Sequence, residues 1–143
     1  MPCDIRIEDH EATIQAELDE LWRRWNAGEL SGHIPHLKRF VTLHRADLVT
    51  LSDGRVDSPP VVVAIKRLLI KAGTVHPPVE MRDQLREIHN EIWYHGERGQ
   101  HDPELVAQDW TTKHARNWRR WRLKEYLFVA DRISVELQSC LFL

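Results

Sequence analysis

Cysteine, single-signed charge and long apolar runs are all scarce in this chain, and each scarcity narrows what it can be. Of 143 residues two are cysteine, Cys3 and Cys140, near opposite ends and with no CxxC pair. The redox and zinc motifs built on that spacing are absent, and a reduced, cytoplasmic setting is the simpler expectation. A bridge between the two ends stays open if the termini meet. Apolar runs such as Val61–Ile65 and Leu68–Ile70 fall far below the about 20 residues a bilayer span takes. The opening MPCDIRIEDHEA is too acidic and too poor in apolar residues for a signal peptide. With 20 basic residues against 22 acidic ones, the net charge of −2 gives no general pull toward nucleic acid or anionic membrane. There is no HExxH, no GxSxG and no glycine loop with P-loop or dinucleotide spacing. These absences predict a soluble protein with no membrane association, no assigned cofactor and no motif-defined catalytic residues, leaning away from an enzyme.

What remains is an ordinary globular composition, 42% hydrophobic and 29% charged, in a chain long enough for one domain with its own core. Helical periodicity runs through it. Ile14, Leu18, Leu21, Trp22 and Trp25 make one buried stripe over about 11–27, stopped by Gly28. Leu37, Phe40, Val41, His44 and Leu48 predict a second helix from Pro35 to Leu48. Asp53-Gly54 between Val49, Leu51 and Val56 carries a hairpin signal, so a minor β-hairpin near 49–56 competes with helix there. Ser58-Pro59-Pro60 opens a third helix that buries Val61, Ile65, Leu68, Leu69 and Ala72 and ends before Gly73; its three valines leave a buried strand as the rival. A fourth spans about 80–95 and buries Met81, Leu85, Ile88 and Ile92, with His89 and Trp93 on its rim. Asp102-Pro103-Glu104 caps a long fifth helix, reaching to about Glu136. The expected fold is all-α, a single four- to five-helix bundle over 1–143 with a long C-terminal helix and connectors near 28–36, 49–60, 74–79 and 96–101.

The densest signal is WTTKHARNWRRWRLKE, residues 110–125. On one continuous helix Trp110, His114, Trp118, Trp121 and Glu125 fall within a stripe of roughly 80°. Tryptophan brings a large apolar area and an indole N–H that wants a partner, so this stripe is core, a groove, or both. His114 and Glu125 stand about 16 Å apart along such a helix and cannot act on one atom unaided. Residues 113–124 also hold six cations, Lys113, Arg116, Arg119, Arg120, Arg122 and Lys124, with no acid among them. Interleaved Trp and Arg is the composition of single-stranded nucleic-acid surfaces. The acidic block Glu8, Asp9, Glu11, Glu17, Asp19 and Glu20 could instead neutralise that face from the first helix.

Nine histidines raise the question of metal. His33 and His36 lie three apart, and Glu87, Glu91 and His95 share a helical face, spacings that metal sites use. Glu91 and His95 at i,i+4 serve an exposed helix pair equally well. The loop HGERGQHD, residues 95–102, reads as a helix–helix turn in which glycine supplies backbone freedom. The apolar tail CLFL needs cover from the core or from a second copy, which makes a homodimer the expected assembly.

The leading expectation is a binding module with Trp93, Trp110, His114, Arg116, Arg119 and Arg120 as its recognition residues, since Trp and Arg dominate interface hot spots. The arginines would select an acidic protein partner. Trp118 and Trp121 are expected in the core, with function toward the Trp110–His114 end. The alternative is a helical metalloprotein or enzyme using His89, Glu91, His95 and His114, and single-stranded nucleic-acid binding comes third.

Overall fold

The structure, a computed structural model, describes residues 7–52, 61–99 and 101–141. Among these residues the chain is all-α: α1 (Ile7–Asn26), a 3₁₀ turn at Ser31–His33, α2 (Ile34–Leu43), α3 (Arg45–Ser52), α4 (Val61–Ala72), α5 (Pro77–Glu97), α6 (Pro103–Lys113), α7 (Ala115–Arg132) and α8 (Ser134–Leu141). Eight α-helices therefore replace the four or five expected. Val49 to Ser52 end α3, so the first strand of the expected hairpin is helical; Asp53, Gly54 and Val56 lie outside the described residues.

The extra helices arise from bends at single residues. His44 (φ −103°, ψ 19°) separates α2 from α3, His114 (φ −123°, ψ −26°) separates α6 from α7, and Ile133 (φ −112°, ψ 27°) separates α7 from α8. Backbone bonding continues through each bend: His114 N–H donates to the Trp110 carbonyl at 2.8 Å, and Trp118 N–H donates to the His114 carbonyl at 2.8 Å. None of these residues is glycine or proline, so no breaker in the sequence announces them. Compactness gives the physical reason for bending. A straight helix from 103 to 136 would be about 50 Å long, whereas a chain of this length has a radius of gyration of only about 15 Å.

Expected stops and starts hold where their chemistry is local. Gly28 takes φ +77°, and the bonds Gly28 N–H to Trp25 O (3.0 Å) and Glu29 N–H to Arg24 O (2.9 Å) make a left-handed cap that ends α1. Asp102 accepts from the N–H groups of Glu104 (3.1 Å) and Leu105 (3.2 Å), with Pro103 in the first position of α6. Pro77 and Pro78 fall in the first turn of α5, so the helix claims half of the expected 74–79 connector.

The core lies where α2 meets α8, α4 meets α7, and α3 meets α4 and α8. Leu37, Leu48, Ile65, Leu69, Val129 and Leu137 are fully buried there. The tail belongs to it: Leu141 is buried and Cys140 packs partly against the cluster, its thiol free. That cover by the chain itself removes the basis for expecting a dimer through the tail up to Leu141. Cys3 and the last two residues lie outside the described residues. α5 and α6 pair as a hairpin joined to the body through α6 and α7. On α5 no residue is buried, and Met81 and Leu85, expected inside, are exposed. α1 is not among the closely packed helix pairs. It reaches the core through Leu21 and Trp25, leaving Ile14, Leu18 and Trp22 about two-fifths exposed.

Leu137→Ala is expected to destabilise the protein by about 2–5 kcal/mol, the range for emptying a buried leucine site. Val135→Ala, at a residue 75% exposed, should change stability by less than about 0.5 kcal/mol. Urea unfolding of both variants checks that the α8 stripe is core.

Candidate functional site

The break at His114 takes the tryptophan stripe apart. Trp110, on α6, is 6% exposed but is not part of the main core cluster. Trp118 and Trp121, on α7, are half-buried. The Arg122 guanidinium lies over the Trp118 ring at 4.6 Å, and Lys124 Nζ stands 5.8 Å from the Trp121 centroid. Trp110 is the most buried of the three, whereas Trp121, expected in the core, packs against the core cluster from a partly buried position and Trp118 is not among the residues packed on it. Trp22 and Trp25 of α1 both meet the edge of Phe128, at 5.2 and 6.5 Å between centroids. The aromatic contact between α1 and α7 is thus made by Phe128, about two turns beyond Trp121.

Glu125 is the single buried charged residue among those described, 3% exposed. Arg24 of α1 donates to its Oε1. With its proton on Nε2, His33 of the 3₁₀ turn donates to Oε2 at 3.2 Å, and Arg122 Nε stands 3.2 Å from the same oxygen. Arg122 also donates through Nη1 to Asp83 of α5 at 2.9 Å, while Arg24 Nε lies 3.5 Å from Glu29. Tyr126 stacks on His33 at 4.5 Å. Burial raises the Tyr126 hydroxyl above the ordinary tyrosine range and keeps it protonated at neutral pH. One carboxylate thus gathers α1, the 3₁₀ turn, α7 and, through Arg122, α5.

Burial by itself pushes the Glu125 carboxyl upward, but the hydrogen bonds from His33 and Arg24 and their charges outweigh it. The group titrates below the ordinary glutamate range. A general base works best with a pKa near the operating pH, and Glu125 lies on the wrong side of that. Its oxygens are occupied by donors, and it lines none of the described cavities. The arrangement is suited to fastening elements together, with no reacting position left at the carboxylate.

The basic flank divides in two. Lys113 pairs with Asp109 (2.9 Å), Lys124 with Glu17 of α1 (2.8 Å), and Arg122 belongs to the Glu125 cluster. Arg116, Arg119 and Arg120 are exposed and make no ion pair or hydrogen bond among the described residues. The acidic first helix therefore neutralises Lys124 and leaves these three arginines alone. At i, i+3 and i+4 they share one face of α7, beside the exposed His114 at the bend. Trp93 is 67% exposed on α5, and no ring contact among the described residues joins it to the arginines or to Trp110.

The histidine and glutamate candidates do not converge. His95 Nε2 lies 3.3 Å from Glu91 Oε2 as an exposed i,i+4 pair, while His89 and His114 are exposed on different helices. Among the described residues no group of three His, Cys, Asp or Glu side chains is placed to hold a metal ion, and no helix is long and apolar enough to cross a membrane.

Sequence reasoning does not find the Glu125 cluster, although Glu125 stands on its tryptophan stripe. Arg24 and Glu125 stand 101 residues apart, and helical periodicity carries no signal for such a pair. Its energetic weight can be measured. Glu125→Gln leaves Arg24 and Arg122 without their buried counter-charge, a loss of about 3–5 kcal/mol at neutral pH. Because the folded-state pKa is depressed, the carboxylate's contribution is fully present above the unfolded value of about 4.3. It fades as pH falls through the lower folded value, so urea midpoints of wild type and Glu125→Gln should converge in acid. Comparison of the chain with protein families, with curated proteins and with solved structures finds no match.

Proposed function

We propose that the protein is a binding module that takes an acidic protein partner on the Arg116, Arg119 and Arg120 face of α7. One observation carries this reading. Every other cation of residues 113–124 has an anionic partner, whereas these three exposed guanidiniums have none among the described residues. Arg116 also lies in the first turn of α7, at the positive end of the helix, where a cation is disfavoured by the macrodipole. The fold gains nothing from that placement. A planar guanidinium with five donors is well matched to carboxylates. His114 borders the face, and Trp93 stands as a separate exposed aromatic anchor on α5. Trp110 leaves the recognition set because it is buried.

A nucleic-acid reading needs aromatic faces open for bases to stack on. Beside these arginines the candidate rings are half-buried and capped, Trp118 by Arg122 and Trp121 by Lys124. For that reason the acidic polypeptide is preferred. A homodimer also belongs to the proposal. With the tail turned inward, the surface that favours it is the exposed edge of α1, where Ile14 and Leu18 line a groove with Leu127 and Phe128. Light scattering after size exclusion should give a dimer for the wild type and a monomer for Leu18→Glu; a monomeric wild type would remove this element alone.

For the acidic partner the probe is a glutamate-rich peptide, titrated by fluorescence anisotropy beside a single-stranded oligonucleotide of equal charge. Arg116→Glu with Arg120→Glu should weaken peptide binding by at least about tenfold, with affinity in the wild type falling as salt rises. The thermal midpoint should stay unchanged. Loss of stability in the double variant would mean that the arginines serve the fold, and tighter, salt-sensitive binding of the oligonucleotide would favour the nucleic-acid reading.

A further inference from the structure

A second cationic place lies elsewhere, on α2 and the start of α5. A cavity of about 330 Å³ opens there between Arg39, Phe40 and Leu43 of α2, His44 at the bend, and the Thr74–Pro78 segment. That volume is at the lower end of what holds a small molecule. Its ionisable lining is wholly basic: Arg39, His44 and His76, with no aspartate or glutamate. Arg39 is exposed and has no ion pair among the described residues. The floor is apolar, and the Phe40 and His44 rings lie 4.6 Å apart.

Two further observations describe the cavity's surroundings. The Nδ1 of His76 is buried without a hydrogen-bond partner among the described residues, although buried polar atoms are almost always satisfied. The ring is held in place: it stacks on His36 at 5.9 Å with 14° between planes, and the His76 N–H donates to Thr74 Oγ1 at 3.3 Å. Second, the groups around the neighbouring His36 are mostly basic. Burial, followed by repulsion from His76, His33 and Arg82, holds the His36 imidazole below the ordinary histidine range, against the single opposing attraction of Asp83. The positive end of the 21-residue α5 points to the same place. Pro77 and Pro78 carry no N–H, so the helix contributes its field there and few donors. An anion seated in the cavity would give Arg39 its missing counter-charge, while the His76 Nδ1, closed to solvent, is not its contact.

We propose that this cavity is a binding site for a small oxyanion, a phosphate or carboxylate, borne on a compact apolar body. Arg39 supplies the charge-assisted contact, His76 and His44 flank it, and Phe40 with Leu43 takes the apolar part. This site is independent of the α7 arginine face and of whatever binds there.

The probes are phenyl phosphate and inorganic phosphate, titrated into the full chain by calorimetry and by two-dimensional amide NMR. Saturable one-site binding of phenyl phosphate, tighter than inorganic phosphate and shifting the amides of 39–44 and 74–79, is the expected result. Arg39→Gln, at an exposed position that should not disturb folding, is expected to weaken it about tenfold or more. His76→Phe should act in the same direction, whereas Arg116→Glu with Arg120→Glu should leave it unchanged. Absence of saturable binding, unaltered affinity in Arg39→Gln, or loss of binding in the α7 double variant would each overturn the site.

Discussion

A carboxylate taken out of water has to be matched by donors, and in this protein that constraint ties α1, the 3₁₀ turn and α5 to α7. Glu125 is buried on α7 and draws in Arg24, His33 and Arg122. The desolvation cost is met only while all three remain in place. Arg24 fixes the C-terminal end of α1, the helix with the least close packing of its own. His33 fixes the 3₁₀ turn that leads into α2. Arg122 hands the connection on to Asp83 and so reaches α5, on which no residue is buried. One ionised group and its neighbours thus add a polar tie to the apolar contacts that hold α1 and the α5/α6 hairpin.

That arrangement also explains how the charges divide. A net charge near zero conceals a sorting of the cations: Arg24, Arg122 and Lys124 are spent on acids of the same chain, while Arg116, Arg119 and Arg120 are left facing solvent. Arg39, on α2, is likewise unpaired among the described residues, beside a cavity without acids. Charges that the fold uses and charges that it leaves alone can therefore be told apart by their partners. Neither composition nor spacing makes that distinction.

Part of this was legible in the sequence. Leu37, Phe40, Val41, Ile65 and Leu69 announce their burial by helical spacing, and Asp102-Pro103 and Gly28 announce their caps, because each effect acts within one or two turns. The bends at His44, His114 and Ile133 were not legible. They are imposed by the need to fold a long periodic stretch back onto a compact core, with no breaker residue to mark them. The two WRRW tetrads show the same limit. They are identical in sequence, yet Arg24 in the first is clamped to Glu125 while Arg119 and Arg120 in the second are exposed. Met81 and Leu85 have the spacing of buried residues, but α5 lies at the edge of the fold and leaves them in solvent.

The most direct test is a double-mutant cycle between Arg24 and Glu125, using Arg24→Met and Glu125→Gln and reading stability in urea at neutral pH. If Glu125 is the fastening point of α1, the double variant should cost little more than Glu125→Gln alone, a coupling of about 2–3 kcal/mol that equals the cost of Arg24→Met. Additive losses within about 0.5 kcal/mol would show that the two groups act independently, and the fastening role assigned to the buried carboxylate would be wrong.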